Sequence, residues 1–383
     1  MKLLHGARLF DGERFVDDRA VVVEGAAIGA VIEWRDRPLA AETIDLAGGV
    51  LAPGFVDWQI NGGGGVLFNA EPTVEAIAKI GAAHRREGVT GFLPTVITDA
   101  PDVLASALTA ARKAHARVPG ALGVHVEGPF IDLNRKGVHP PEWIRPMRQK
   151  DAEALIAARA GAMVVTLAPA SVSLELVGRL AGAGIVVSLG HSDATAEEAE
   201  KVFHAGARAV THLFNAMSQL VSRAPGVVGA ALADERVICG VIADGEHARP
   251  AAYRTAIAAK GARGIALVSD AMPPSAGGPA SFELQGRRIK RAGMKLVDER
   301  GTLAGAAITM RDAVRYLVRD LGRPLAEALT MATLTPARLL GLDHRIGRLK
   351  PGFAADLVHL TDELDVAGVW AGGRNADEIG APQ

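Results

Sequence analysis

Through the middle of the chain, short apolar runs alternate with segments whose apolar positions recur at helical spacing. The runs are Val50–Ile60, Gly91–Ile97, Ala121–Val126, Met163–Leu167, Ile185–Leu189, Ala209–Leu213, Val237–Ile242 and Ile265–Val268. They are short, apolar and flanked by turn residues, which reads as strands buried on both faces. Eight such strands alternating with helices predict an α/β fold of the (β/α)8 TIM-barrel type rather than a doubly wound sheet. Helix starts are marked by Pro72 after Glu71, Asp99 ahead of Pro101, Thr195 with Glu198 as a capping box, and Thr335 ahead of Pro336. The two ends of the chain carry a different pattern. Ala7–Phe10, Arg19–Glu24 and Gly29–Ile32 near the start, with Ala355–Leu360 and Gly368–Gly373 near the finish, read as strands and hairpins. The prediction is a small β-sandwich domain from residues 1–50 plus 346–383, beside a barrel of residues 51–345.

With 383 residues, 49% hydrophobic and 22% charged, the chain has ample material for a core. A formal net charge of −1 gives no broadly basic face. Neither nucleic acid nor a membrane surface is therefore an expected partner, and an anionic ligand must be met by local charges. No apolar run reaches the length a bilayer span needs, and the N-terminal residues lack the apolar stretch of a signal peptide. The single Cys239, inside an apolar run, excludes an internal disulfide and reads as a core thiol. The expected location is the cytoplasm.

Candidate chemistry sits where the apolar runs end. The third run passes into Glu127, the fifth into His191, and the sixth carries His212 near its end. A carboxylate at the tip of an apolar strand is costly to bury unless a positive charge meets it. One Glu and two His make a zinc-type ligand set that leaves a fourth position for water. Each alone is better read as a loop polar group with satisfied hydrogen bonds; jointly they point to one metal. Asp270, after the eighth run, could be a turn former, but beside a metal it is better read as a catalytic carboxylate. Gln59, Asn61, Thr95, Asp244 and His247 also fall near strand ends, on the rim where such barrels place their active sites. His125 shares a strand face with Glu127 one layer deeper and reads as an interior hydrogen-bonding group. Gln59 and Asn61 are poor zinc ligands and read as rim hydrogen-bonding groups. His139 lies in a loop, and Arg223 alone is a surface arginine. The run Gly62–Gly65 lacks the trailing Lys-Ser/Thr of a phosphate loop and reads as closely approached backbone.

Seven stretches, taken in order, resemble one family from end to end. They are Pro53-Gly54-Phe55-Val56-Asp57, His125-Val126-Glu127-Gly128-Pro129-Phe130, Lys136-Gly137-Val138-His139, Gly190-His191-Ser192-Asp193-Ala194, Thr211-His212-Leu213-Phe214-Asn215-Ala216-Met217, Ile242-Ala243-Asp244-Gly245-Glu246-His247 and Leu267-Val268-Ser269-Asp270-Ala271. The chain resembles the amidohydrolase superfamily and, within it, the N-acetylglucosamine-6-phosphate deacetylase family. That resemblance implies a metal-dependent hydrolase releasing acetate from N-acetylglucosamine 6-phosphate in amino-sugar metabolism. It implies one divalent ion per subunit, zinc, on Glu127, His191 and His212, with Asp270 as general acid/base and His139 beside the scissile acetyl group. Asn215, Ala216, His247 and Arg223 would meet the sugar phosphate, and Val138 with the Leu303-Ala304-Gly305 loop would line the substrate. Arg223 would reach a neighbouring subunit's site, which implies a homodimer. Many members carry His-x-His after the first strand for a second metal; Gln59-Ile60-Asn61 stands there instead and argues for one. Three rival readings remain at this level: another N-acetylhexosamine 6-phosphate such as N-acetylgalactosamine 6-phosphate, a cyclic-amide hydrolase, or a catalytically inactive scaffold barrel. The second would more often keep the His-x-His pair, and the presence of all four central residues argues against the third.

Overall fold

Eight parallel strands follow one another around a single sheet: Phe55–Ile60 (β1), Val89–Ile97 (β2), Gly123–Glu127 (β3), Ala162–Leu167 (β4), Val186–Leu189 (β5), Ala209–Val210 (β6), Ile238–Val241 (β7) and Ile265–Leu267 (β8). They belong to a computed structural model that describes residues 1–38 and 42–379. The sheet closes just past β8. Ala271 bridges to Ile60 in parallel, and its carbonyl accepts from the amides of Asn61 at 2.9 Å and Gly62 at 2.8 Å. Helices covering the outside keep both faces of the strands dry, which is why β1 to β4 are buried at every position. This is the expected (β/α)8 barrel. Among the described residues, no helix is long and apolar enough to cross a membrane.

Several local expectations shift. The run Val50–Ile60 divides at Gly54: Val50–Pro53 pairs with strands from both chain ends, and only Phe55–Ile60 enters the barrel. The sixth run stops at Val210 because His212 takes a left-handed backbone, φ 33°, that no strand can hold. Helix Val74–Arg85 is capped by Thr73 rather than started by Pro72, and Thr335 lies inside helix Leu334–Leu339 rather than ahead of it. Pro101 does open helix Pro101–His115, and Thr195 with Glu198 forms the predicted capping box. At the glycine run, a Cβ on Gly63 would sit 2.4 Å from the His84 ring, so close backbone approach is what the glycines serve there.

The chain ends build two sheets, one from Lys2–His5, Arg19–Glu24, Ala27–Glu33 and Glu42–Asp45, the other joining Arg8–Phe10 and Val50–Pro53 to Leu357–Leu360 and Val366–Ala371. Leu4, Leu9, Val21, Leu51, Leu357 and Trp370 meet in a core of their own. An unexpected element follows β8. Ser281–Leu284, Arg287–Ala292, Lys295–Val297 and Leu303–Ala306 form an antiparallel sheet over the barrel mouth. Its inner residues Leu284, Ile289, Leu296 and Ala304 pack with Ile97, Val138 and Met272. Gln285 donates to the Thr98 carbonyl at 2.9 Å and Arg287 to the Val138 carbonyl, which tie this cover sheet to the rim.

Asp57 holds the barrel seam from inside. Its Oδ2 accepts from the Ser269 hydroxyl at 2.5 Å and its Oδ1 from the Gln59 amide at 3.2 Å. Burial pushes this carboxyl up to about 7, against the opposing pull of the Ser269 and backbone hydrogen bonds. An unfolded aspartate titrates near ~3.9, so between there and the folded value the native protein binds a proton the unfolded chain does not. That contribution is complete below the unfolded value and is lost as pH rises through the folded one. Asp57→Asn is therefore expected to flatten the decline of Tm with rising pH between about 5 and about 7.5. A variant whose Tm falls as steeply as wild type over that range would contradict the assignment.

Candidate active site

Glu127 ends β3, while His191 and His212 lie just past β5 and β6, so neighbouring strand ends aim them at one point. His191 Nε2 is 3.3 Å and His212 Nε2 3.0 Å from the same oxygen, Oε1 of Glu127, and the two nitrogens are 3.1 Å apart. Zinc bonds of ~2.0–2.2 Å at tetrahedral angles put neighbouring donors about 3.3 Å apart, close to this triangle. Three lone pairs aimed at one another repel unless a proton or a cation lies among them. His191 Nδ1 donates to the Arg135 carbonyl at 2.9 Å, which turns Nε2 toward Glu127, a donor while it carries a proton and a lone pair once a cation replaces that proton. Burial alone would raise the Glu127 carboxyl, yet the hydrogen bonds and charges of His191 and His212 hold it well below its ordinary value. The donor set fits a divalent cation.

His139 stands next to this triangle. Its ring lies 4.4 Å from that of His191, and Glu127, His139 and His191 also offer donor atoms within 4.8 Å of one another. The tighter set is the one from β3, β5 and β6, whose donor atoms lie 3.0 to 3.3 Å apart; His139 Nδ1 pairs with Thr98 Oγ1 at 2.7 Å. Burial, with the charge of His191 next, pushes the His139 imidazole well below its ordinary value, so it is neutral.

Asp270 completes the group. Its Oδ1 accepts from Asn61 Nδ2 at 2.7 Å and Gln59 Nε2 at 3.1 Å. The same Gln59 nitrogen lies 3.3 Å from each Glu127 oxygen, so one amide links both carboxylates. Burial raises the Asp270 carboxyl to about 6, with the Glu127 charge adding to it and His212 and His247 opposing. His191, His212 and Asp270 all hold φ between 33° and 48°. Such conformations cost of order 1–3 kcal/mol each for non-glycine residues and gather at functional sites. Beneath the rim, His125 Nε2 lies 2.7 Å from Thr166 Oγ1, which lies 2.6 Å from Thr211 Oγ1, itself 2.7 Å from Ser188 Oγ. That hydroxyl layer is a polar floor joining β3, β4, β5 and the end of β6.

These residues open onto a cleft of about 480 Å³. Val138, Asn215, Ala216, His247, Leu303 and Gly305 line it. Leu303–Ala306 is a strand of the cover sheet rather than a loop, and its alternation turns Ala304 away from the cleft into the sheet's own core. Gln59 lies beneath the cleft lining, fully buried. Arg223 is exposed, on the short Val221–Ala224 turn, and does not line the cleft. Sequence reasoning missed Thr98 and Arg135. Thr98 follows β2 as the other rim residues follow their strands, a signal that was available; Arg135 acts on His191 through its carbonyl, which no side-chain pattern reveals.

The Amidohydrolase family profile matches residues 50–376. The N-acetylgalactosamine-6-phosphate deacetylase of Shewanella sp. (strain ANA-3) is 42% identical over 380 residues, covering 97% of this chain and 95% of that protein. The N-acetylglucosamine-6-phosphate deacetylase of Haemophilus influenzae is 37% identical over 361 residues, covering 93% and 94%. The crystal structure of N-acetylglucosamine-6-phosphate deacetylase from Pasteurella multocida superposes with a TM-score of 0.95 at 34% identity, covering 98% of this chain and 99% of that one.

Elemental analysis after dialysis against a divalent metal is expected to find about one equivalent per chain, as a single three-residue ligand set holds. Glu127→Gln and His191→Ala should retain little under the same dialysis; full retention by either would remove it from the ligand set.

Proposed function

The chain belongs to the amidohydrolase family, and from that premise we propose that it hydrolyses the acetamide of N-acetylglucosamine 6-phosphate to acetate and glucosamine 6-phosphate. The observation that carries the reading is the Gln59 amide joining Asp270 to Glu127, which sets a base with its carboxyl near 6 beside a cation-binding triangle. Glu127, His191 and His212 hold one divalent metal, zinc by its donor types. When bound, that ion lowers the pKa of water and polarises the acetyl carbonyl.

Asp270 then takes the proton from the attacking water and returns it to the amine as the C–N bond breaks. Because two amides donate to Oδ1, the proton is carried on Oδ2. The mechanism calls for the His139 tautomer in which Nδ1 accepts from the Thr98 hydroxyl 2.7 Å away, so that Nε2–H donates to the developing oxyanion, a contribution of about 3 kcal/mol by comparison with other single donors. Val138, Leu303 and Gly305 border the sugar. Asn215, Ala216 and His247 meet the sugar hydroxyls and phosphate, and Arg223 reaches the phosphate in a neighbouring subunit's cleft. Its exposed position outside its own cleft supports that homodimeric arrangement. The reading places the enzyme in the cytoplasm, where a single unpaired cysteine is at home.

A second reading, N-acetylgalactosamine 6-phosphate as the preferred substrate, is favoured by the 42% identity to the Shewanella protein of that name. Acetate release from both sugar phosphates and from unphosphorylated N-acetylglucosamine separates the two. The proposal expects the glucosamine epimer to be turned over with the highest kcat/KM, and a preference for the galactosamine epimer would move it to the second reading. Asp270→Asn is expected to keep its metal and lose about 10²–10⁴-fold in kcat, the range of a general base. Near-normal turnover in that variant would exclude Asp270 as the proton carrier.

A further inference from the structure

We propose that Asp244 is a positioning residue that sets the orientation of His247, and which of its nitrogens faces the cleft, for recognition of the substrate phosphate, an inference that rests on reading the cleft as a sugar-phosphate site. The two sit in the turn after β7. Asp244 Oδ2 lies 2.6 Å from His247 Nδ1, and both side chains are buried, 0% and 3% exposed. Asp244 Oδ1 accepts from the amides of Glu246 and His247, each at 2.9 Å, so the carboxylate is locked within its own turn. Tyr253 pins both ends of that turn, donating to the Ile242 carbonyl at 2.8 Å and accepting from the Ala248 amide at 3.1 Å.

What this rigid pair presents is one nitrogen. His247 lines the cleft, its Nδ1 is occupied, and its Nε2 is buried with no partner among the described residues. Burial alone would raise the Asp244 carboxyl, but the hydrogen bond and charge of His247, together with the two amides, hold it below its ordinary value. With Nδ1 held by Asp244, a phosphate oxygen at Nε2 would complete a carboxylate–imidazole–phosphate chain of charge-assisted hydrogen bonds.

The surroundings fit an anion. With a net charge of −1 the chain offers no general basic field, and the guanidinium of Arg135, which also lines the cleft, is engaged by Asp193 at 2.7 Å. Glu246, whose charge would oppose a phosphate, is paired with Lys295 of the cover sheet at 2.8 Å. Among the described residues, His247 Nε2 is a buried nitrogen without a partner on the cleft wall, and Asp244 holds it there.

The test is binding of glucosamine 6-phosphate and of glucosamine to the metal-loaded full chain by calorimetry, with thermal melting as a check on folding. Wild type should prefer the phosphorylated sugar. Asp244→Asn, whose amide oxygen can still hold the ring but carries no charge, should weaken glucosamine 6-phosphate by about tenfold, ~1.4 kcal/mol, while glucosamine moves by less than about threefold. Asp244→Ala should lose more, and adding it to His247→Gln should cost nothing further, since both changes remove one coupled unit. Should the position 244 variants fail to fold, His247→Gln alone must show the selective loss. Wild-type indifference to the phosphate, retention of phosphate preference in the variants, or equal weakening of both sugars would overturn the inference. Because the ligand is bound and not turned over, a failure to release acetate would count against the deacetylase reading alone.

Discussion

A carboxylate and two imidazoles, with donor atoms 3.0 to 3.3 Å apart in a buried rim, are stable together only around a positive charge. The rest of the structure serves that constraint. Three strand ends of a closed barrel supply the geometry, and the Arg135 carbonyl turns one imidazole so that its lone pair faces inward. The Gln59 amide spans Glu127 and Asp270, a neutral group of two N–H bonds lying between carboxylates that would otherwise repel. At that place an amide tethers Asp270 to Glu127.

The layer below explains how the rim keeps its shape. Thr166, Thr211 and Ser188 hydroxyls form a buried chain with His125, so the strands beneath Glu127, His191 and His212 are joined by side chains as well as by their backbone ladders. Burial holds His125 near 4, so the histidine in that chain is neutral and adds no charge under the site. Asp57 and Ser269 close the seam between the first and last strands, directly before Asp270 in the chain. The left-handed backbone at His191, His212 and Asp270 is tolerated because the strands on one side and the stitched rim loops on the other leave those residues no alternative path.

Much of this is legible in the sequence for one physical reason. A strand buried on both faces is written as an unbroken apolar run, so a lone acid or histidine at its end stands out, as Glu127, His191, His212 and Asp270 do. The same feature blurs boundaries: Val50–Pro53 and Phe55–Ile60 are both buried at every position, though they belong to different sheets, and only Gly54 marks the change. Hydrophobic pattern is blind to φ, so the sixth run overshoots into His212. The cover sheet escapes notice because Arg287–Ala292 is largely exposed and highly charged, with Ile289 its one fully buried side chain. Contributions made by backbone, such as the Arg135 carbonyl, leave no trace in residue type at all.

X-ray absorption at the metal edge, on protein loaded with one zinc equivalent, tests the central claim most directly. The account predicts a shell of two imidazole nitrogens and carboxylate and solvent oxygens at about 2.0–2.2 Å, with one imidazole lost in His212→Ala. A spectrum that keeps both imidazoles in that variant, or that shows only oxygen ligands in the parent protein, would contradict it.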